Sequence, residues 1–409
     1  MHTAPESVAA DPDCRQVPVP GPLSRAEAAD AVELLLAKVA RLRTLAGDRY
    51  PLYAHHGDWI LSRRGSWTPG FWVGLLRLTA RITGDRQDRR RAEAAVAGLT
   101  ERLGDDTVTR SMTFWYGAGT DRPDLTHEAA RRLLATADRD HGLVPIGTTW
   151  ERENGRHLVE VDCWGPLVRL LSRYADELDP ESEEATRARR TAVAQTRACL
   201  RHCVRADVSD GRLPMIVERF GIRPSPEMSP QTPPTTAARP AAWALLGLAE
   251  SAAALSGTDP ALAVDCAQTA VRLRARPLGQ RAGPVGEDFV SDTSTGSSTG
   301  SFAVTSAVTS ADTCADSSAD AIAAVALHRL PFSLPLSPPS PLLAPRFASS
   351  ARLRTARLVR EQLRADGTFT GTRYRVADGR VAEVESVWGY FFLLLALAID
   401  AELIRSDEF

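Results

Sequence analysis

The sequence predicts an all-α protein built from helical hairpins that stack or close into a ring. Three observations carry this. Apolar residues recur at three-and-four spacing along most of the chain, the signature of helices with one buried face. Two stretches, "LTARITGDRQDRRRAEAAVAGL" and "SAAALSGTDPALAVDCAQTAVRL", repeat one plan: helix, short Gly-Asp or Gly-Thr-Asp turn, second Ala-rich helix. The hydrophobic share of 44% is ample for a large core. A single hairpin cannot bury its own apolar face, so further hairpins must pack on it.

In chain order, helices are expected near 25–46, 70–84, 87–103, 123–138, 163–177, 181–204, 240–256, 259–275, 316–330, 346–365 and 384–404. Residues 1–24 form an N-terminal extension expected to be disordered, and 25–409 a single domain. Long connections fall at 104–122, 139–160, 205–238, 276–315 and 366–383, and loops of that length in a compact domain usually carry function or are disordered. The Ser/Thr-rich segment 290–314 reads as a flexible loop. The stretch "LPFSLPLSPPSPLLAP", broken by prolines, reads as an extended connector, and "GRLPMIVERF" and "GTFTGTRYRV" as small β-hairpins.

Lys plus Arg total 49 against 51 Asp plus Glu, a net charge of −2, so no electrostatic footprint for nucleic acid is present. Lys38 is the only lysine, and the arginines are scattered. The opening residues have neither the basic start nor the apolar core of a secretory leader. The longest apolar run, 390–399, falls short of the roughly 20 residues a membrane span needs. A soluble, cytoplasmic protein is the expectation. Of six cysteines, Cys199 and Cys203 lie one helical turn apart, but no second pair completes a metal site, and buried free thiols are expected. The "HHGDW" stretch with His55, His56 and Asp58 reads as a surface loop, since adjacent histidines do not easily face one ion; no metal or other cofactor is expected.

The segment "VEVDCWGPLVRLLSRYA" raises the main chemical question. Asp162 stands directly before an amphipathic helix, and an Asp there is an excellent N-cap because its carboxylate accepts from the free N–H groups of the first turn. The same position can turn a carboxylate toward a cavity. Local spacing leaves both readings open.

Four separated stretches decide between them: "WTPGFWVGLLRLTARITGD", "DHGL", "VDCWGPLVRLL" and "DSSADAIAAVALHRL". In that order they resemble segments of the unsaturated glucuronyl hydrolases, glycoside hydrolase family 88, with "RPAAW" and "ESVWGYFFLLLAL" matching two further segments more loosely. The resemblance spans about residues 60–400. It implies an (α/α)6 barrel, a six-hairpin toroid with long loops and a few short β-hairpins; the expected helices are one short of that number. A sister family, the unsaturated rhamnogalacturonyl hydrolases, shares the fold and the Asp-led helix, and "DSSADAIAA" leans toward the glucuronyl branch.

By resemblance, the reaction is hydration of the C4=C5 enol ether of an unsaturated uronic acid. An acid protonates C4, water adds at C5, and the hemiketal opens to release the neighbouring sugar. A carboxylic acid kept protonated near neutral pH serves as donor and afterwards as base, and burial or a nearby carboxylate can hold that proton. Asp162 matches the family's acid/base and Asp140 its partner carboxylate. Trp67 and Trp243 match stacking aromatics, Arg239 the family arginine, and Gln231 lies near the family glutamine; Trp164 and Trp388 belong to the same candidate pocket. The departures are Arg139 for a histidine, Ala237 for a tryptophan, Trp164-Gly165-Pro166 for methionines and an asparagine, and Trp388-Gly389-Tyr390 for Trp-Gly-Asp-Tyr. An acid kept within altered surroundings argues for altered substrate choice: a small glycoside such as a specialised metabolite. Two alternatives stand beside this reading, an eliminating or dehydrating tailoring enzyme on the same scaffold and a catalytically inactive carbohydrate-binding toroid. A small-molecule carbohydrate or glycoside is the expected partner, with no nucleic acid and no membrane; composition leaves the oligomeric state open.

Overall fold

The structure is a computed structural model that describes residues 21–149, 151–205, 215–222, 232–235, 237–274, 316–333, 343–377 and 379–409. Its elements are α1 (Arg25–Ala46), β1 (Tyr50–His55), β2 (Asp58–Ser62), α2 (Pro69–Thr83), α3 (Arg86–Gly98), α4 (Arg110–Gly117), α5 (Pro123–Thr136), β3 (Leu158–Glu160), α6 (Trp164–Asp176), α7 (Glu183–His202), β4 (Val204–Arg205), β5 (Met215–Ile216), β6 (Arg219–Gly221), α8 (Ala238–Ala254), α9 (Pro260–Arg274), α10 (Ser317–Ser333), α11 (Leu343–Gln362), β7 (Thr372–Arg375), β8 (Val381–Ser386) and α12 (Val387–Asp400).

Sequence character sorts the helices into two rings. Helices α2, α4, α8, α10 and α12 are buried on nearly every face, as in the run Val387–Ala398 of α12, and α6 is buried on most of its circumference. A helix apolar all round belongs inside a protein. These six touch in sequence, α2 to α4, α6, α8, α10, α12 and back to α2, and so close an inner ring. The other helices keep a polar face; in α3, "RQDRRRAEAAVAG", only Ala92 and Val96 are buried. They cover the ring from outside, each beside its hairpin partner, with α1 covering α12. This is an (α/α)6 barrel.

The turns recognised in the sequence are the short inner-to-outer connections. Gly84 ends α2 in the left-handed region at φ 65, returning its N–H to the Ala80 carbonyl, a conformation that suits glycine. Asp85 then caps α3 by accepting from the N–H groups of Gln87 and Asp88 at 2.7 and 2.9 Å. Asp259 does the same for α9, accepting from Leu262 N at 3.1 Å. The outer-to-inner connections are long, and they gather at one end of the ring with the N-termini of all six inner helices. That end is the mouth. A four-stranded antiparallel sheet, in the order β2-β1-β8-β7, and two ribbons, β3-β6 and β4-β5, are built from these connections.

Three expectations change. The stretch 104–122 contains α4, the helix that brings the barrel to twelve among the described residues; its sequence "RSMTFWYG" is buried on every side and offers no polar face for periodicity to detect. "GRLPMIVERF" is not a hairpin, because β5 pairs with β4 and β6 with β3, and β7 pairs with β8 rather than within "GTFTGTRYRV". Helix α10 runs to Ser333, into the stretch read as a connector. Residues 1–20 and 290–314 lie outside the described residues. Cys163, Cys199, Cys203 and Cys266 are buried and free. Among the described residues no helix is long and apolar enough to cross a membrane.

Inner helices pack closely where glycine removes a side chain. A Cβ on Gly247 of α8 would stand 2.6 Å from the Trp164 ring of α6. Gly247→Ala is expected to cost about 1–3 kcal/mol, the usual range for overpacking, read as a lowered urea midpoint with an unchanged m-value.

Candidate active site

Asp162 occupies the turn between β3 and α6, at the mouth. The β3-β6 ribbon fixes its position: Val159 and Val161 are fully buried, and the Val161 N–H bonds the Glu218 carbonyl at 2.9 Å. The cap position of α6 belongs to Cys163, which makes no side-chain capping bond. Among the described residues the Asp162 carboxyl accepts no hydrogen bond. The real carboxylate cap stands elsewhere on the ring: Asp316 Oδ1 accepts from Ser318 N at 3.0 Å and Ser318 Oγ at 2.7 Å at the start of α10.

The surroundings of Asp162 favour its protonated form. Burial pushes its carboxyl well above the usual carboxylate range, the negative charges of Glu160 and Glu218 push it further, and Arg239 and Arg219 oppose them. Arg219 is committed to Glu160 by two bonds onto Oε1, at 2.8 and 3.1 Å. Arg239, in the first turn of α8, donates from Nη1 to the Arg373 carbonyl at 2.7 Å and lies 3.7 Å from Asp316 Oδ2. Burial acts to lower its pKa, but the carboxylates around it, Asp316 foremost, outweigh burial and raise it. Beside it runs an aromatic wall. Tyr374 lies 5.9 Å from the Arg239 guanidinium, Trp388 packs on Tyr374 at 5.1 Å, and the half-buried Trp67 packs on Trp388 at 4.9 Å between ring centres. Trp67 Nε1 donates to the Tyr374 hydroxyl at 3.4 Å. Among the described residues, no group of three or more His, Cys, Asp or Glu is placed to hold a metal ion.

A curated unsaturated glucuronyl hydrolase from Bacillus sp. (strain GL1) is 32% identical to this chain over 177 residues, 40% of this chain and 45% of that protein. The solved structure of the enzyme from Bacillus sp. GL1, described as responsible for the degradation of glycosaminoglycan, matches with a TM-score of 0.68 at 24% identity, covering 91% of this chain and 96% of that one. An unsaturated glucuronyl hydrolase from Streptococcus agalactiae matches with a TM-score of 0.69 at 17% identity over 97% of each chain. The chain is similar to an unsaturated glucuronyl hydrolase over part of its sequence and shares the barrel fold of such enzymes over nearly its whole length. The sequence match spans somewhat under half the length of the curated relative, while the solved structures carry the barrel over nearly the whole chain. No protein-family model matches it.

Relative to the residues that the glucuronyl hydrolase resemblance selected, the mouth gathers Asp162, Arg239 and Trp67, while Trp388, 1% exposed, is buried behind Trp67 and Tyr374. The other candidates fall elsewhere. Asp140 is exposed on the connection after α5, where its N–H bonds Asp138 Oδ1 at 3.2 Å; this segment lies on the outer helix α7, with the Val144 N–H on Gln195 Oε1. Trp243 and Trp164 are 1% and 0% exposed, core residues rather than pocket walls. Trp243 packs on Phe71 and Phe392, and Trp164 on Gly247, because the inner face of a helix ring must be filled by large side chains. Gln231 lies outside the described residues.

One carboxylate escaped the sequence reading. Asp106 lies in the connection that leads into the inner helix α4, a few residues before its cap Thr109. It is half-buried and accepts from Thr148 Oγ1 at 2.6 Å, Thr148 N at 3.2 Å and Arg156 Nη2 at 3.3 Å. Burial alone would raise its carboxyl, but these donors prevail and hold it below the usual range. Helices α4 and α6 are neighbours in the inner ring. The signal was present as an Asp ahead of "TVTRSMTFWYG", hidden because that helix was read as a loop.

Proposed function

We propose that the protein hydrates the C4=C5 double bond of an unsaturated uronosyl glycoside, with Asp162 as acid and then base and Asp106 as an ionised companion at the same mouth. The observation that carries this is the setting of Asp162: a carboxyl at the barrel mouth that caps no helix and whose pKa is pushed well above the usual carboxylate range by burial and two glutamates. Two carboxyls whose surroundings drive their pKa values apart divide acid and base work between them, and Asp106 is driven the other way.

In this reading Asp162 gives its proton to C4 and positive charge develops at C5, shared with the ring oxygen. The resulting Asp162 carboxylate stabilises that charge and then takes a proton from the water adding at C5. The C5 hemiketal opens to a ketone, C1 becomes a hemiacetal, and its collapse releases the neighbouring group as an alcohol. Trp67 offers a flat face for a sugar ring, and Arg239 retains guanidinium N–H groups for the uronate carboxylate. The substrate is a small glycoside. Tyr390 follows Trp388-Gly389 where the relatives have an acid, and its hydroxyl is turned away to Glu385 Oε2 at 2.6 Å, so the polar group of that segment is withdrawn from the ligand.

Incubation with an unsaturated glucuronyl disaccharide tests this directly: alkene ultraviolet absorbance is lost and product mass increases by one water. A loss of water would indicate elimination, and inertness across several such sugars would sink the reading. The pH dependence follows from the two carboxyls. Asp162 must be protonated, so kcat/KM falls about tenfold per pH unit above its raised pKa. Asp106 must be ionised, so the acid limb lies below the ordinary carboxylate range. A pH–rate profile with a plateau between an acid limb set by Asp106 and an alkaline limb set by Asp162 is the expected outcome.

A further inference from the structure

The β3-β6 ribbon carries a feature that the proposed reaction has not used. Glu160 and Arg219 are register partners across the ribbon. Their side chains are 17% and 13% exposed, and Arg219 Nη2 and Nε both bond Glu160 Oε1. The ribbon ends at the acid, since Glu160 lies two residues before Asp162 and the intervening Val161 is buried and tied to Glu218 by its N–H. Glu160 is the last residue of β3 and Asp162 lies in the turn that follows it, close enough for the Glu160 charge to act on the acid. The partner strand is clamped from its other edge by Thr232, whose Oγ1 accepts from Glu218 N at 3.1 Å and Arg219 N at 3.2 Å.

We propose that Glu160 and Arg219 are positioning residues that set the proton on Asp162: Glu160 supplies a fixed negative charge beside the acid, and Arg219 supports that charge. The inference rests on reading Asp162 as the proton donor. Its logic is a division among neighbouring carboxyls. Those sharing a small, partly dry space cannot all ionise, and the one with a cation of its own keeps the charge. Arg219 gives Glu160 such a partner, whereas Asp162 has none hydrogen-bonded to it, so the proton stays where the alkene must receive it. The other groups facing Asp162 are accounted for. Arg239 on α8 is offset by Asp316, Glu218 adds to the effect of Glu160, and the thiols of Cys163 and Cys203 are kept neutral by burial.

The pair predicts displacements of opposite sign. Glu160→Gln removes the negative charge and turns Arg219 toward the acid, so the Asp162 pKa and the alkaline limb of kcat/KM drop by about one pH unit, a shift of the size a single close charge produces. Arg219→Gln removes the cation that faces both carboxyls, so the proton they share is held to higher pH and both the pKa and the limb rise. Glu218→Gln should move them down, and Glu160→Asp should restore most of the wild-type profile. The Asp162 carboxyl is read by carbon-13 NMR titration alongside the rate profile, with thermal unfolding confirming that each variant is folded. Shifts of the same sign in Glu160→Gln and Arg219→Gln, or no shift in either, overturn the proposal. Because the NMR titration needs no turnover, a wild type inert toward every enol ether would refute the hydratase reading and leave the NMR test of this pair intact.

Discussion

Asp162→Asn is expected to lower kcat/KM on an unsaturated glucuronyl disaccharide by about 10²–10⁴-fold, the usual worth of a positioned general acid, while leaving the protein at least as stable as wild type. The second half of the expectation separates the catalytic role from helix capping. A capping Asp replaced by Asn retains most of its capping ability, and replaced by Ala loses about 1 kcal/mol. Asp162 caps nothing here, because α6 begins at Trp164 with Cys163 as its cap residue. The amide instead removes a carboxyl that burial and the charges of Glu160 and Glu218 disfavour in its ionised form. Asp162→Ala should therefore also fold normally. A thermal unfolding scan beside steady-state kinetics checks both parts; a substantial fall in melting temperature with activity retained would return Asp162 to a structural role.

The largest effect on stability is expected at the opposite end of the ring. Glu250, near the end of α8, is 3% exposed and sits between Arg169 of α6 and Arg329 of α10. Arg169 Nε lies 3.1 Å from Oε2, and Arg329 Nη1 contacts Oε1. Three adjacent inner helices are thus joined by one carboxylate. Burial already pulls both guanidinium groups below their ordinary pKa. Glu250→Gln removes the charge between them, and breaking a buried ion pair from one side costs about 3–5 kcal/mol because the remaining charge loses its compensation. Urea unfolding should show that loss in the midpoint. A change below about 1 kcal/mol, the usual size for a surface pair, would show that the cluster is solvated in solution.

Much of the barrel could be read from the residues, for a definite reason. An outer helix must present one face to the ring and one to water, so α1, α5 and α7 carry the periodicity that sequence reasoning detects. The inner-to-outer turns are short and capped, so "TGD" and "GTD" mark them at Asp85 and Asp259. Most inner helices have no water-facing side, and α4, with eight buried residues, left no periodic trace.

The same cause shaped the reading of the site. Asp162 stood out because α6 has a strong amphipathic pattern behind it. Asp106 heads α4 and was lost with that helix, whereas "DHGL" drew attention to Asp140 on the outside of the ring. Trp243 and Trp164 illustrate a further ambiguity, since a tryptophan that fills the inner ring and one that lines the mouth look alike in one dimension. Glu160, Glu218 and Arg219 required the β3-β6 pairing to become neighbours of Asp162. No local spacing connects Val161 to a strand almost sixty residues away.

Turnover in heavy water offers the most direct look at where the transferred proton goes. If Asp162 protonates the enol ether, early product formed by wild type carries one deuterium at C4 and a carbonyl at C5, and Asp162→Asn forms neither at a comparable rate. Product with C4 unlabelled, or equal labelling by the two proteins, would contradict the account.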